Sequence, residues 1–144
     1  MTTAALVAVL VTAWPTFGLS VPWAVHPPRE ELRPLLTLLE QRRAPTDAVY
    51  VTYGAAPAVA HYQRLGLAPA NVFLQSEWPA GRTRFQAAQA LAAAEGHPRL
   101  WLVVAHALPG EEEALAEALT RRGAWLRARV TAPGAALLLW DMGK

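Results

Sequence analysis

Residues 99–105 read RLWLVVA, a run that is continuously apolar after its first residue. Branched and aromatic side chains in such a run predict a strand, and its apolarity predicts that helices cover both faces. Pro109 and Gly110 follow, and residues 111–122 then carry three glutamates in the first turn and two arginines in the last, as suits a helix dipole. A central strand followed by a helix is the repeating unit of an α/β sheet.

The chain on either side of this unit continues the alternation. Hydrophobic spacing and turn residues predict three helices before it (29–43, 55–65 and 83–95) and two short strands (48–52 and 71–74). After it, strands at 124–130 and 135–140 flank the turn Ala132-Pro133-Gly134 and form an antiparallel hairpin at the sheet edge. The order α-β-α-β-α-β-α-β-β predicts a small open, mostly parallel sheet with helices packed on it.

The N-terminal region differs in composition, because the first 28 residues carry no charged side chain. Residues 4–25 read AALVAVLVTAWPTFGLSVPWAV, and about 20 apolar residues in a helix span a bilayer. Trp23 near the end of this segment suits the membrane interface, and Pro27-Pro28 forms a stiff linker behind it. We therefore predict a transmembrane anchor over residues 1–25 and an α/β domain over residues 26–144. A secretory signal peptide and a buried helix or strand of a soluble core are the alternatives.

The composition excludes several classes of site. Thirteen basic and eleven acidic residues leave a net charge of +2, and the basic residues are scattered, so no nucleic-acid partner is expected. The chain has no cysteine, which removes disulfides and thiolate ligands. Its four histidines lack metal-binding spacing, and neither Ser20 nor Ser76 has the sequence of a nucleophile elbow. We expect no metal, no cofactor and no catalytic residue of the domain's own.

Four residues are candidates for binding a ligand. Tyr53 and Gly54 follow the first predicted strand and His106 follows the central one, and ligands of open α/β sheets bind beyond the carboxyl ends of the strands. Trp78 lies in a loop with proline and glycine, where an exposed indole can stack on a sugar. The alternative interpretation is that Tyr53 and His106 only close the end of the sheet, and the glutamates at 111–113 would repel an anion there.

Other polar and aromatic residues are interpreted as structural. Asp47 stands in a turn before a strand, where aspartate commonly bonds the nearby backbone. Trp101 and Trp140 fall inside predicted strands and are expected in the core or on a sheet face.

Two long stretches, REELRPLLTLLEQRRAPTDAVYVTYGAAPAVAHY from Arg29 and RLWLVVAHALPGEEEALAEAL from Arg99, together with the closing ALLLWDM, carry a family resemblance. They resemble the C-terminal extracytoplasmic region of bacterial GT-C class membrane glycosyltransferases, similar to dolichyl-phosphate-mannose–protein mannosyltransferases. The resemblance implies a small α/β domain outside the cytoplasmic membrane, behind the last helix of a catalytic membrane domain.

This chain departs from such enzymes in having one hydrophobic segment and no acidic residue before Glu30. The resemblance therefore implies an accessory module without its own catalytic site, and we expect the sequence to be the C-terminal piece of a longer protein. The partners it implies are the membrane and a multi-helix glycosyltransferase membrane domain. Two alternatives are a ligand-binding or enzymatic domain that uses the Tyr53 and His106 crevice, and a truncated product without an independent role.

Overall fold

The computed structural model of the protein describes residues 31–74 and 82–143, which contain four helices and five strands. In chain order these are α1 (Leu32–Arg42), β1 (Ala48–Val51), α2 (Ala56–Arg64), β2 (Phe73–Leu74), α3 (Arg82–Ala94), β3 (Arg99–Ala105), α4 (Glu111–Arg121), β4 (Trp125–Ala132) and β5 (Ala135–Asp141). The expected alternation of helices and strands, ending in a hairpin, is confirmed.

The five strands form one mixed sheet in the order β2-β1-β3-β5-β4. The pairs β1–β2 and β1–β3 are parallel, whereas β3–β5 and β4–β5 are antiparallel. The hairpin is thus present, but β5 lies between β3 and β4, so half of the strand pairings are antiparallel. The sheet is therefore mixed, and not mostly parallel as the sequence predicted. β4, the strand that follows α4, lies at the outer edge, and β5 lies beside β3.

Two apolar layers cover the sheet, one on each face. Alternate residues of β3 divide between them: Trp101 and Val103 belong to the layer under α1 and α2, while Leu100 and Leu102 belong to the layer beside α4. The helices contribute the matching stripes, which are Leu32, Leu35, Leu36 and Leu39 of α1 and Leu115 and Leu119 of α4, all at most 2% exposed. The central position expected for β3 follows from this coverage of both faces.

The first helix begins later than its sequence pattern indicates. It starts at Leu32 rather than residue 29, and Glu31 lies before its first turn instead of within it. This start places Pro34 in the first turn of α1. Backbone N–H groups of the first turn have no partner inside the helix, so the missing N–H of proline costs little stability there.

The predicted anchor over residues 1–25, the linker at residues 26–28 and Trp78 lie outside the described residues. No helix within residues 31–74 and 82–143 combines the length and apolarity that crossing a membrane requires.

Candidate functional site

The loops that follow β1 and β3 meet at the carboxyl end of the sheet. A Cβ atom on Gly54 would lie 2.1 Å from the carbonyl oxygen of Ala105 and 3.1 Å from the Cβ atom of His106, so only glycine fits there. His106 has φ +48°, a left-handed conformation that side chains seldom adopt. Strain of this kind often accompanies functional sites and here sits where sequence reasoning placed one. The structure therefore brings Gly54 and His106 together, as the strand-end argument predicted.

An open depression of about 520 Å³ lies on the β4 side of His106. Its lining includes Glu112 of α4 and Arg129 and Thr131 of β4. Arg129 forms a two-pronged ion pair with Glu112, with Nε–Oε1 at 2.7 Å and Nη2–Oε2 at 3.2 Å. Tyr53 and Gly54 do not belong to the lining, so the depression lies on the opposite side of His106 from the predicted crevice. Ligand binding by Tyr53, Gly54, Trp78 and His106 stays a prediction.

Directly beneath this end lies a buried polar cluster that sequence reasoning missed. Gln86 of α3 is 0% exposed and Glu111, the first residue of α4, is 1% exposed. The Gln86 side-chain amide donates to Glu111 Oε1 and its carbonyl accepts from the Tyr53 N–H at 3.1 Å, while Glu111 Oε2 accepts from the Leu108 N–H at 2.8 Å. The cluster thus joins α3, α4 and the loops after β1 and β3.

Two buried hydroxyl groups, one in β1 and one directly after it, lie on the same face of the sheet as this cluster. Tyr50 Oη and Thr52 Oγ1 have no hydrogen-bond partner in the described part of the chain. Burial, and to a lesser degree the charge of Glu111, raises the pKa of Tyr50 above its ordinary value. Tyr50 therefore stays protonated and does not serve as a base at neutral pH. Its ring stacks on Phe73 of β2 with centroids 5.3 Å apart.

The opposite, amino end of the sheet holds the most completely bonded carboxylate. The side chain of Asp47 accepts from Arg99 Nε at 2.8 Å, Arg99 Nη2 at 2.9 Å, Trp101 Nε1 at 2.9 Å and the Ala44 N–H at 2.8 Å. Burial alone would raise the pKa of Asp47, but these donors outweigh it and hold the pKa below the ordinary value of 3.8. The expected hydrogen bond between Asp47 and the nearby backbone is confirmed. Asp47 also accepts hydrogen bonds from two side chains of β3, which is distant in the sequence.

Sequence signals for these clusters were present but ambiguous. Gln86 falls four residues before Ala90 and eight before Ala94, both of which are buried, so it occupies the buried stripe of α3. Glu111 likewise precedes Leu115 and Leu119 at helical spacing. A polar residue on an apolar stripe marks a buried hydrogen-bonding group, whereas the run of three glutamates was explained by the helix dipole alone.

The outer edge of the sheet is exposed over the whole of β4. Its first seven residues are exposed and its last is half-buried, with Trp125 at 53%, Leu126 at 43% and Val130 at 38% exposure. Trp125 is thus an exposed indole, although sequence reasoning considered only Trp78 as an exposed platform for a sugar. Trp101 and Trp140 are buried as expected, at 5% and 3% exposure.

Two further observations on the described residues concern metal binding and the buried carboxylates. No group of three His, Asp or Glu side chains within residues 31–74 and 82–143 could hold a metal ion. The two buried carboxylates, Asp47 and Glu111, accept hydrogen bonds from structural donors. Comparison of the chain with protein-family models, with curated proteins and with solved structures found no match.

Proposed function

We propose that residues 26–144 form a non-catalytic accessory domain, held at the extracytoplasmic face of the cytoplasmic membrane by the hydrophobic segment 4–25. In this role the domain helps a multi-helix glycosyltransferase membrane domain to position its acceptor or a partner protein. The proposal combines the uncharged 22-residue segment, the resemblance to the C-terminal region of GT-C class enzymes and the chemistry of the folded domain.

The proposal that the domain is non-catalytic rests on the hydrogen bonds that its buried carboxylates accept. Glycosyl transfer needs a base for the acceptor or an electrostatic partner for the leaving phosphate. Asp47 accepts four structural hydrogen bonds at the amino end of the sheet, and Glu111 closes a cluster that joins two helices. A carboxylate committed in this way is poorly placed to take a proton from a substrate.

Membrane partition of the full chain tests the anchor. Leu10→Arg combined with Phe17→Arg places two charges in the segment, each costing about 2.5–3.5 kcal/mol near the middle of a membrane helix. We expect this variant to leave the membrane fraction, and the matched Leu10→Ala and Phe17→Ala variant to stay in it. An unmodified chain that is found uncleaved in the supernatant would contradict the anchor.

Donor turnover tests the absence of catalysis. Full chain in lipid vesicles is supplied with lipid-linked and nucleotide-linked sugars, and we expect no release of sugar from either donor. Turnover by the unmodified chain that is lost in His106→Ala would overturn the accessory role. That result would favour the second candidate function described next.

The second candidate is a small-molecule site at the carboxyl end of the sheet. The left-handed backbone of His106 favours it, since strain of this kind often accompanies functional sites, and Gly54 allows the two strand-end loops to approach closely. The adjacent depression offers the Arg129 and Glu112 ion pair as its polar wall. Binding of a neutral sugar to the unmodified chain, weakened in His106→Ala, would support this candidate.

A further inference from the structure

We propose that the carboxyl end of the sheet lies against the bilayer surface, with the loop 106–110 in contact with zwitterionic lipid headgroups. This inference rests on the anchored arrangement proposed above. It adds an orientation of the domain and a lipid-contacting surface, which we call the carboxyl-end surface and define as the loops 106–110 and 132–134.

The point at which the chain enters the domain determines which end is near the anchor. The Glu31 N–H donates to the carbonyl oxygen of Pro133 at 3.1 Å, so residue 31 is fixed at the turn between β4 and β5. Because β5 pairs antiparallel with β3 and Ala135 lies opposite Ala105, this turn is at the carboxyl end of β3. The described chain therefore begins at the same end of the sheet as the loop 106–110.

Chain length then limits how far this end can stand from the bilayer. Residues 26–30 separate Val25, the last residue of the predicted anchor, from Glu31. Six Cα–Cα steps of at most about 3.6 Å span about 20 Å. The seven residues of β3 at about 3.3 Å each place the amino end of the sheet about 20 Å further along the strands. The carboxyl-end surface is thus the part of the sheet that the tether holds nearest the membrane.

The composition of the two loops agrees with this placement. Residues 106–110 read HALPG and residues 132–134 read APG, so the loops carry no Asp, Glu, Lys or Arg, and Leu108 is 49% exposed. An uncharged loop with an exposed leucine fits the headgroup region of a bilayer.

The charges that border the carboxyl-end surface select the kind of lipid. Glu31, Arg33 and Glu113 are exposed there and together carry one net negative charge, while Glu112 is paired with Arg129. A net negative charge is repelled by anionic headgroups but not by zwitterionic ones, because a zwitterionic surface carries no net charge. We therefore expect closer contact with phosphatidylcholine than with phosphatidylserine bilayers.

Single cysteines test the orientation, because the chain contains none of its own. Leu108→Cys marks the carboxyl-end surface, and Thr120→Cys marks an exposed position near the other end of α4, about 14 Å along the helix from its first residue, Glu111. Each full-length variant is labelled with an environment-sensitive fluorophore and reconstituted in phosphatidylcholine vesicles that contain nitroxide-labelled lipid. We expect at least twofold stronger quenching at position 108 than at position 120, and weaker quenching at 108 when phosphatidylserine is added.

Equal quenching at the two positions, or stronger quenching at position 120, would overturn the orientation. Pro133→Cys provides a second labelling position on the same surface. Agreement between positions 108 and 133 excludes an effect that is caused only by the replacement of Leu108. Quenching absent at both 108 and 133 would show that lipid does not contact this surface, and would refute the proposal. Flotation with the vesicles tests the anchor separately from the orientation of the domain. A chain that does not float with the vesicles contradicts the anchor.

Discussion

Replacement of Asp47 by alanine is expected to destabilise the domain by about 3 kcal/mol. The change removes four hydrogen bonds, but their loss is unequal. The Arg99 side chain is 29% exposed and regains water, whereas the Trp101 N–H is left buried without an acceptor, at a cost of about 1–3 kcal/mol. The Ala44 N–H adds about 1 kcal/mol. Breaking a buried ion pair sets an upper range of about 3–5 kcal/mol.

Urea unfolding of the fragment 26–144 measures this loss, since the fragment contains all the described helices and strands and is expected to fold alone with a cooperative transition. With a denaturant slope of about 2 kcal/mol per molar, a loss of 3 kcal/mol lowers the midpoint by about 1.5 M urea. Glu40→Ala is the control, because its pair with Arg43 is long, at 3.6 Å, and exposed. We expect Glu40→Ala to change the free energy of unfolding by less than about 0.5 kcal/mol.

The pH dependence of the same carboxylate provides a second measurement. The folded pKa of Asp47 lies below its unfolded value, so its charge stabilises the fold above about pH 4 and this contribution is lost as pH falls through the folded pKa. The stability difference between the unmodified fragment and Asp47→Asn should therefore shrink below pH 4. If Asp47→Ala costs no more than Glu40→Ala, or if the Asp47→Asn difference persists unchanged in acid, the assigned role of this ion pair is wrong.

Three further changes test other parts of the fold by thermal unfolding followed with circular dichroism. Gly54→Ala should cost about 1–3 kcal/mol, because the added methyl group meets backbone that can move only with the end of β3; an unchanged midpoint would show that the loops separate easily. Glu111→Ala should cost about 1–3 kcal/mol by leaving buried donors unpaired, while Glu113→Ala should be nearly neutral; equal effects would refute the buried cluster. Trp101→Asp should abolish the transition and Trp125→Asp should preserve it, and a stable Trp101→Asp variant would show that β3 is misplaced.

Patterns that depend on one element were readable in the sequence. Continuous apolarity identified β3, and the leucine spacing of α1 identified the four side chains that it buries. The strand-end rule brought the loops containing Gly54 and His106 together because both parent strands run in the same direction. Each of these inferences needed only local periodicity or the direction of a strand.

Features that depend on contacts between distant elements were not readable. Asp47 and Arg99 are 52 residues apart, and nothing in either local sequence indicates the partner. The position of β5 beside β3 depends on pairs such as Ala105 with Ala135, which are 30 residues apart and which the hairpin pattern does not indicate. Glu111 and Gln86 form a pair only after α3 and α4 have packed together.

The position of β5 also governs when the domain can fold during synthesis. Because β5 pairs with both β3 and β4, the sheet stays open in the middle until residues 135–141 have left the ribosome. Until then, the nascent chain presents the apolar edge of β3 without its neighbour, a surface suited to chaperones and to misassembly. The domain therefore completes its folding only after residues 135–141 have emerged, with the local β4–β5 hairpin closing the sheet as a unit.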